Sequence, residues 1–362
     1  MKFNTLDGLR GLAAIAVAIL HMSRFFSPYS PPNAHLAVDF FFLLSGFVLA
    51  HAYDGRIEAG MPQSQFVTAR IARLYPSFLM GLVLGAIVAL AALIHPGALS
   101  VEWSPRLLLC SLSFGIVMMP TPSCGETDYL YPFNPVMWSI LFELLISFAF
   151  FWSHRLLLNR THLVLVAGIS GILLVWTVLS LGTVDLGTTW PFVYVGILRV
   201  IFSFSLGVWL RRIRPAYASS SSVMGPLLVA TLLGLALLMP TTGPLYSLAM
   251  IFVAFPLIVF VGSYTEPAPG GFLRLFAMSG TISYVLYSIH KPAYQLAYAA
   301  FSRLAPGASQ TLTLTVGVVF FIGLLALCLI VERRYEQPAR RLISGVVKRR
   351  LGPFPMRPNM QE

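Results

Sequence analysis

This sequence predicts an all-α polytopic membrane protein with ten transmembrane helices and an additional interfacial or re-entrant helix near 105–119. Three observations carry that fold class. Hydrophobic residues make up 57% of the chain and charged residues only 10%, where a soluble globule carries about a quarter. Apolar runs of about 16 to 20 residues recur between short polar loops, and such lengths suit membrane helices and exceed buried strands. Basic residues concentrate in alternate loops, the pattern of a chain whose cytoplasmic flanks are positive.

Taken in order, the spans fall at 5–23, 38–53, 76–95, 136–152, 163–181, 191–209, 223–239, 245–262, 275–300 and 311–331. Arg10 interrupts the first run and no small-residue cleavage site follows, so this run reads as a retained span and not a signal peptide. Segment 105–119 is apolar but short and headed by Arg106. Charge decides its role. If it stays on one side, the inner loops hold Arg56, Arg70, Arg73, Arg155, Arg160, Arg211, Arg212, Arg214, Arg274 and the basic tail. The outer loops then hold only Arg24, Arg106 and Arg303. Both termini are therefore cytoplasmic, and 96–135 is an outer loop. Residues 1–343 form one membrane domain and 344–362 a basic cytoplasmic tail. The net charge of +11 is a product of this topology, and no nucleic acid is expected as a partner. Ser219–Ser222 reads as an inner linker, and Pro292 should kink the ninth span. The three cysteines have no metal-like spacing, and no metal is expected. Cys110 and Cys124, in one outer loop, are expected to be bridged.

The polar residues inside these spans point to chemistry. A charge in hydrocarbon costs at least about 2.5 kcal/mol, so it persists mostly where it has work to do. Arg10 and His21 lie eleven residues apart, which returns a helix to within roughly 20° of the same face about 16 Å further along. Both should look into one cavity from opposite halves of the membrane. Arg70 and Arg73, at i,i+3, join Arg10 as an anion site facing the cytosol. The outer half collects His21, Asp39, Glu143, His290 and Lys291, groups suited to proton transfer. Arg199, in mid-span, is expected to pair with Glu143, since an unpaired buried charge is costly.

The stretch LDGLRGLAAIAVAILHM (Leu6 to Met22) resembles the signature of the membrane-bound type-3 acyltransferase family, an arginine and a histidine with ten residues between them on the first helix. Four further stretches are similar to that family in the same order: VDFFFLLSGF (Val38 to Phe47), RIARLYP (Arg70 to Pro76), MWSILFE (Met137 to Glu143) and SYVLYSIHKP (Ser283 to Pro292). The resemblance spans essentially the whole chain and implies ten core helices. It also implies transfer of an acyl group, usually acetyl from cytoplasmic acetyl-CoA, to a hydroxyl of an envelope or exported glycan, or of a small metabolite. His21 would be the catalytic base, with Asp39 or Glu143 orienting it, and Arg10, Arg70 and Arg73, with Ser45, would serve the acetyl-CoA donor. Trp138, Ser139, Arg199, Tyr287, His290 and Lys291 fall to the carbohydrate or lipid-linked glycan acceptor. Ala37 stands where the family commonly has glycine, and Ser77-Phe78 replaces an aromatic pair. The esterase-like extracellular domain of some members is not expected. The partners implied are the acceptor and membrane lipids, and the implied location is a bacterial cytoplasmic (inner) membrane. The competing reading is a transporter or flippase that uses the same charges as a substrate path.

Overall fold

Among the described residues, 3–94, 103–122, 126–215 and 220–351, each segment expected to span is built on a helix in the computed structural model. The helices are α1 (Asn4–His21), α2 (Ala37–Glu58), α3 (Gln63–Ile94), α4 (Pro105–Ile116), α5 (Met137–Trp152), α6 (Arg160–Leu181), α7 (Val193–Ile213) and α8 (Met224–Leu238). Next comes α9, built from Pro244–Ala249, a π-helical turn over Met250–Ala254 and Phe255–Gly262. Then follow α10 (Gly271–Leu304), α11 (Gln310–Val331), a second π-helical turn (Glu332–Glu336) and α12 (Gln337–Leu351). Seven helical segments are long and apolar enough to cross a membrane, while α4, α5 and α8 are shorter apolar helices. Asn4, Asp7 and Arg10 dilute the apolar run of α1. The fold is that of an all-α membrane protein.

Two close helix pairs build the frame. α1 runs parallel to α10, since Asp7 meets Gly280, Arg10 meets Ser283 and His21 meets His290. Glycine permits that approach: a Cβ on Gly11 would come within 2.5 Å of the Ser279 backbone. α2 runs parallel to α7 in the same way, with Asp39 at Arg199, Gly46 against Phe204 and Asp54 at Arg212. Asp54 also receives His154, at 3.0 Å, which pins the short turn after α5 to this pair. Between the pairs lies a core rich in aromatic rings, including Phe40, Phe42, Phe47, Phe78 and Trp138. Ile172 and Trp176 on α6 and Val319 and Ile322 on α11 point outward, as side chains facing lipid do.

α3 starts at Gln63 and continues through Pro76, so Arg70 and Arg73 sit on the first turns of a single 32-residue helix. α10 likewise continues through Pro292. α4 has 12 residues and so reaches about 18 Å, well short of the bilayer core. Ser104 caps it by accepting from the Leu107 amide, and Tyr75 ties it to α3 by donating to the Ile116 carbonyl at 2.8 Å. The serine linker contains a strand: Ser220–Ser222 pairs in parallel with Thr265–Pro267, because the loops after α7 and α9 lie side by side and satisfy each other's backbone. The expected Cys110–Cys124 bridge involves Cys124, which lies outside the described residues, as does the tail beyond 351.

Candidate active site

Two cavities lie one above the other, with Tyr287 in the wall of both. The first, about 220 Å³, opens among the N-terminal turns of α1 and α3 and is lined by Asp7, Arg10, Ser45, Arg70, Arg73, Ser139, Glu143, Ser283 and Tyr284. Glu143 is its centre. Its Oε1 accepts from Arg70 Nη2 at 2.9 Å, from Tyr284 OH at 3.0 Å and from Ser45 Oγ at 3.1 Å. Helices α2, α3, α5 and α10 thus meet on one carboxylate oxygen. The Tyr284 ring in turn carries two cations, the Arg73 guanidinium at 4.4 Å and that of Arg10 at 5.3 Å. Arg10 is fixed by the Ser283 hydroxyl, the Gly280 carbonyl and Asp7. Arg73 makes no hydrogen bond among the described residues, and Arg70 Nε is buried without an acceptor. The chamber therefore presents guanidinium donors still open to an anion.

The second cavity, about 90 Å³, is lined by Val17, His21, His35, Trp138, Asp185, Thr188, Arg199, Tyr287 and Lys291, among others. Two loops roof it. The Leu130 amide donates to the Thr188 carbonyl, the Trp190 amide to Asp128 and the Trp190 indole to Thr121, so the segments before α5 and before α7 interlock. Asn134 fastens this roof to α10 by donating to the Ser288 carbonyl at 2.7 Å. Arg199 fastens it to α2: its Nε and Nη2 donate to the two oxygens of Asp39 at 3.1 and 2.7 Å, and its Nη1 to the Leu186 carbonyl at 2.9 Å.

The histidines form a chain of fixed polarity. His290 Nδ1 lies 2.9 Å from the Leu286 carbonyl, which can only accept, so that nitrogen carries a proton. In the neutral ring Nε2 is then an acceptor, and it faces His21 Nδ1 at 2.9 Å. His21 must therefore be protonated at Nδ1, which leaves the lone pair on its Nε2. That tautomer is the one a general base needs, and a backbone carbonyl fixes it through a second imidazole.

Several pairings differ from those expected. Arg199 pairs with Asp39 and not with Glu143, whose partner is Arg70. Depth along a helix was legible, but which helices neighbour one another was not: α2 runs beside α7, whereas the Glu143 face of α5 looks toward α3. Neither carboxylate orients His21, because Asp39 is occupied by Arg199 and Glu143 belongs to the arginine chamber. The side chain within hydrogen-bond distance of His21 is that of His290. Arg10 and His21 line separate cavities, since Tyr287 projects between them and shares a 2.7 Å hydrogen bond with Ser139. Arg70 is not solvated but buried. Ser45 and Ser139 line the arginine chamber, Trp138 and Lys291 the histidine chamber, and Trp138 packs beneath the Arg199 guanidinium. Tyr284 was missed, although Tyr284, Tyr287 and Lys291 recur at i, i+3 and i+7 on one helix face. Asp185 and His35 are lone polar residues near loops and carry no such signal.

A family model described as an acyltransferase domain matches residues 3–333. Among curated proteins, "Protein 2 in picA locus" of Rhizobium radiobacter is 34% identical over 172 residues, covering 45% of this chain and 89% of that protein. No solved structure matches.

Proposed function

The chain belongs to the membrane-bound type-3 acyltransferase family, and from that premise we propose that it moves an acetyl group from cytoplasmic acetyl-CoA to a hydroxyl of an envelope or exported carbohydrate. The observation that carries this reading is the stacking of an arginine chamber and a histidine chamber on one wall residue, Tyr287. Phosphates of the donor suit Arg10 and Arg73, whose guanidiniums offer bidentate contacts. The thin pantetheine arm then passes Tyr287 and Ser139 and brings the thioester to His21. The acceptor arrives under the roof loops, where Asp185 and His35 offer hydrogen bonds to further hydroxyls.

In this scheme His21 Nε2 takes the proton of the acceptor hydroxyl as its oxygen attacks the thioester carbonyl. The resulting oxyanion lies in the chamber lined by Lys291, whose ammonium has no hydrogen-bond partner among the described residues and is free to stabilise it. The C–S bond then breaks, the ester leaves toward the acceptor side, and His21 returns its proton to the departing thiolate. His290 passes no proton on: it donates to the Leu286 carbonyl and holds the imidazole of His21 in register.

The same reading places ten spans in a bacterial inner membrane with both termini in the cytoplasm, α1 to α3 and α5 to α11 being the crossings. In intact cells, a cysteine at Pro306→Cys should react with an impermeant maleimide, and one at Ser64→Cys should not. Reversed labelling would invert the topology.

The two neighbouring arginines should separate. Arg73→Ala, which breaks a contact with Tyr284 but no ion pair among the described residues, should weaken coenzyme A binding by about tenfold with little change in melting temperature. Arg70→Ala strands the buried Glu143 and should cost about 3 kcal/mol of stability. Calorimetry and thermal melts of the purified variants check both, and unchanged coenzyme A binding by Arg73→Ala would remove the donor from this chamber.

A further inference from the structure

The family match ends at residue 333, and the chain beyond it packs back on two helices that wall the arginine chamber. The π-helical turn Glu332–Glu336 touches α3 and α10, and α12 packs along α3, the helix that carries Arg70 and Arg73. Arg340 on α12 reaches inward. Its guanidinium is paired with Glu336 and lies 3.7 Å from Glu332 Oε1. The satisfaction is incomplete: Arg340 Nε, Glu332 Oε2 and Glu336 Oε2 are all buried without hydrogen-bond partners. Glu332 and Glu336 are only 3% and 1% exposed, so these orphaned atoms cannot turn to solvent. Arg340 also lies within electrostatic range of Arg73, Arg10 and Tyr284.

Two guanidiniums stand over the Tyr284 ring and that of Arg340 is near enough to repel them, so anions among the three are stabilising. Glu332 and Glu336 supply such charge to Arg340. On the open side, Arg73 has no anionic partner among the described residues. A coenzyme A thioester has a 3′-phosphate and a diphosphate, more negative charge than Arg10 and Arg73 can meet, since Arg10 already holds Asp7.

We infer that Arg340 is a further donor-binding residue: α12 delivers a third guanidinium to the phosphate end of the donor, and Glu332 and Glu336 hold it ready in the absence of that anion. The inference rests on the donor reading above. It singles out Arg340 from the other basic residues nearby, since Arg333, Arg334 and Arg341 are exposed.

The test uses the full chain in nanodiscs, with coenzyme A and 3′-dephospho-coenzyme A titrated by calorimetry. Because Arg340→Gln alone leaves two buried acids unpaired, it is compared within a Glu332→Gln, Glu336→Gln background. There, adding Arg340→Gln should weaken coenzyme A binding by about tenfold, as loss of a charge-assisted contact does. Arg340→Lys in the otherwise unaltered chain, which keeps the charge for the acids but loses the fork, should weaken it several-fold. Arg341→Ala, the same charge change on the exposed face, should leave binding unchanged. Equal affinity with and without the Arg340 guanidinium, or an equal loss from Arg341→Ala, overturns the role of Arg340 while leaving the donor site standing. A parent chain that binds no coenzyme A overturns both.

Discussion

His21→Ala should abolish acyl transfer, lowering turnover by about 10²- to 10⁴-fold, while coenzyme A binding stays near normal. The separation of effects follows from the two cavities. His21 lines the smaller chamber, beyond Tyr287, and touches none of the arginines around Tyr284. Removing it takes away a proton acceptor needed only as the acceptor hydroxyl attacks, so the ground-state complex with the donor is untouched. His290→Ala should act in the same direction more weakly, because it frees the tautomer of His21 without removing the base. His290→Gln keeps an oxygen able to accept from His21 Nδ1 and should recover part of the loss. Steady-state rates beside calorimetry of each variant check the set. Equal losses in His290→Ala and His290→Gln would mean that the second imidazole does more than orient the first.

The largest effect on stability is expected at Arg199. Arg199→Ala leaves the carboxylate of Asp39 in a site where both partners are 1% exposed, and breaking a buried pair from one side costs about 3 to 5 kcal/mol. The damage should reach the roof, since Arg199 also holds the Leu186 carbonyl at 2.9 Å. Replacing both partners, Arg199→Leu with Asp39→Leu, should recover much of the melting temperature while the roof loop stays loosened. Thermal melts in detergent distinguish the cases. An Arg199→Ala protein as stable as the parent would show that the pair is not what holds the roof.

The membrane class, the helical segments and the identities of the polar residues were legible because each depends on local composition or on the period of one helix. Arg10 and His21 could be placed on one face of α1 by spacing alone. Partnership was not legible. The choice between Asp39 and Glu143 for Arg199 depends on which helices run side by side, and close packing at Gly46 and Gly207, which seats α2 on α7, leaves no trace in residue spacing. Nor could spacing show that the space shared by Arg10 and His21 is divided, since Tyr287 enters it from α10. His290 was placed with the outer-half proton-transfer groups and assigned to the acceptor through its motif, since no spacing links it to a residue on another helix. Only the parallel approach of α1 and α10 brings its Nε2 to His21. Arg340 follows the last span among other arginines, and nothing in its sequence neighbourhood separates it from Arg341.

The most direct measurement of transfer across the Tyr287 wall uses inside-out membrane vesicles supplied with acetyl-CoA on their outer, formerly cytosolic, face. Coenzyme A release is followed in the medium, and acetyl ester on enclosed carbohydrate by mass spectrometry. Ester inside the vesicle with coenzyme A released outside, both lost in the His21→Ala protein, is the predicted result. Undiminished ester formation by His21→Ala, or acetyl-CoA carried into the lumen with no ester formed, would contradict the enzyme mechanism.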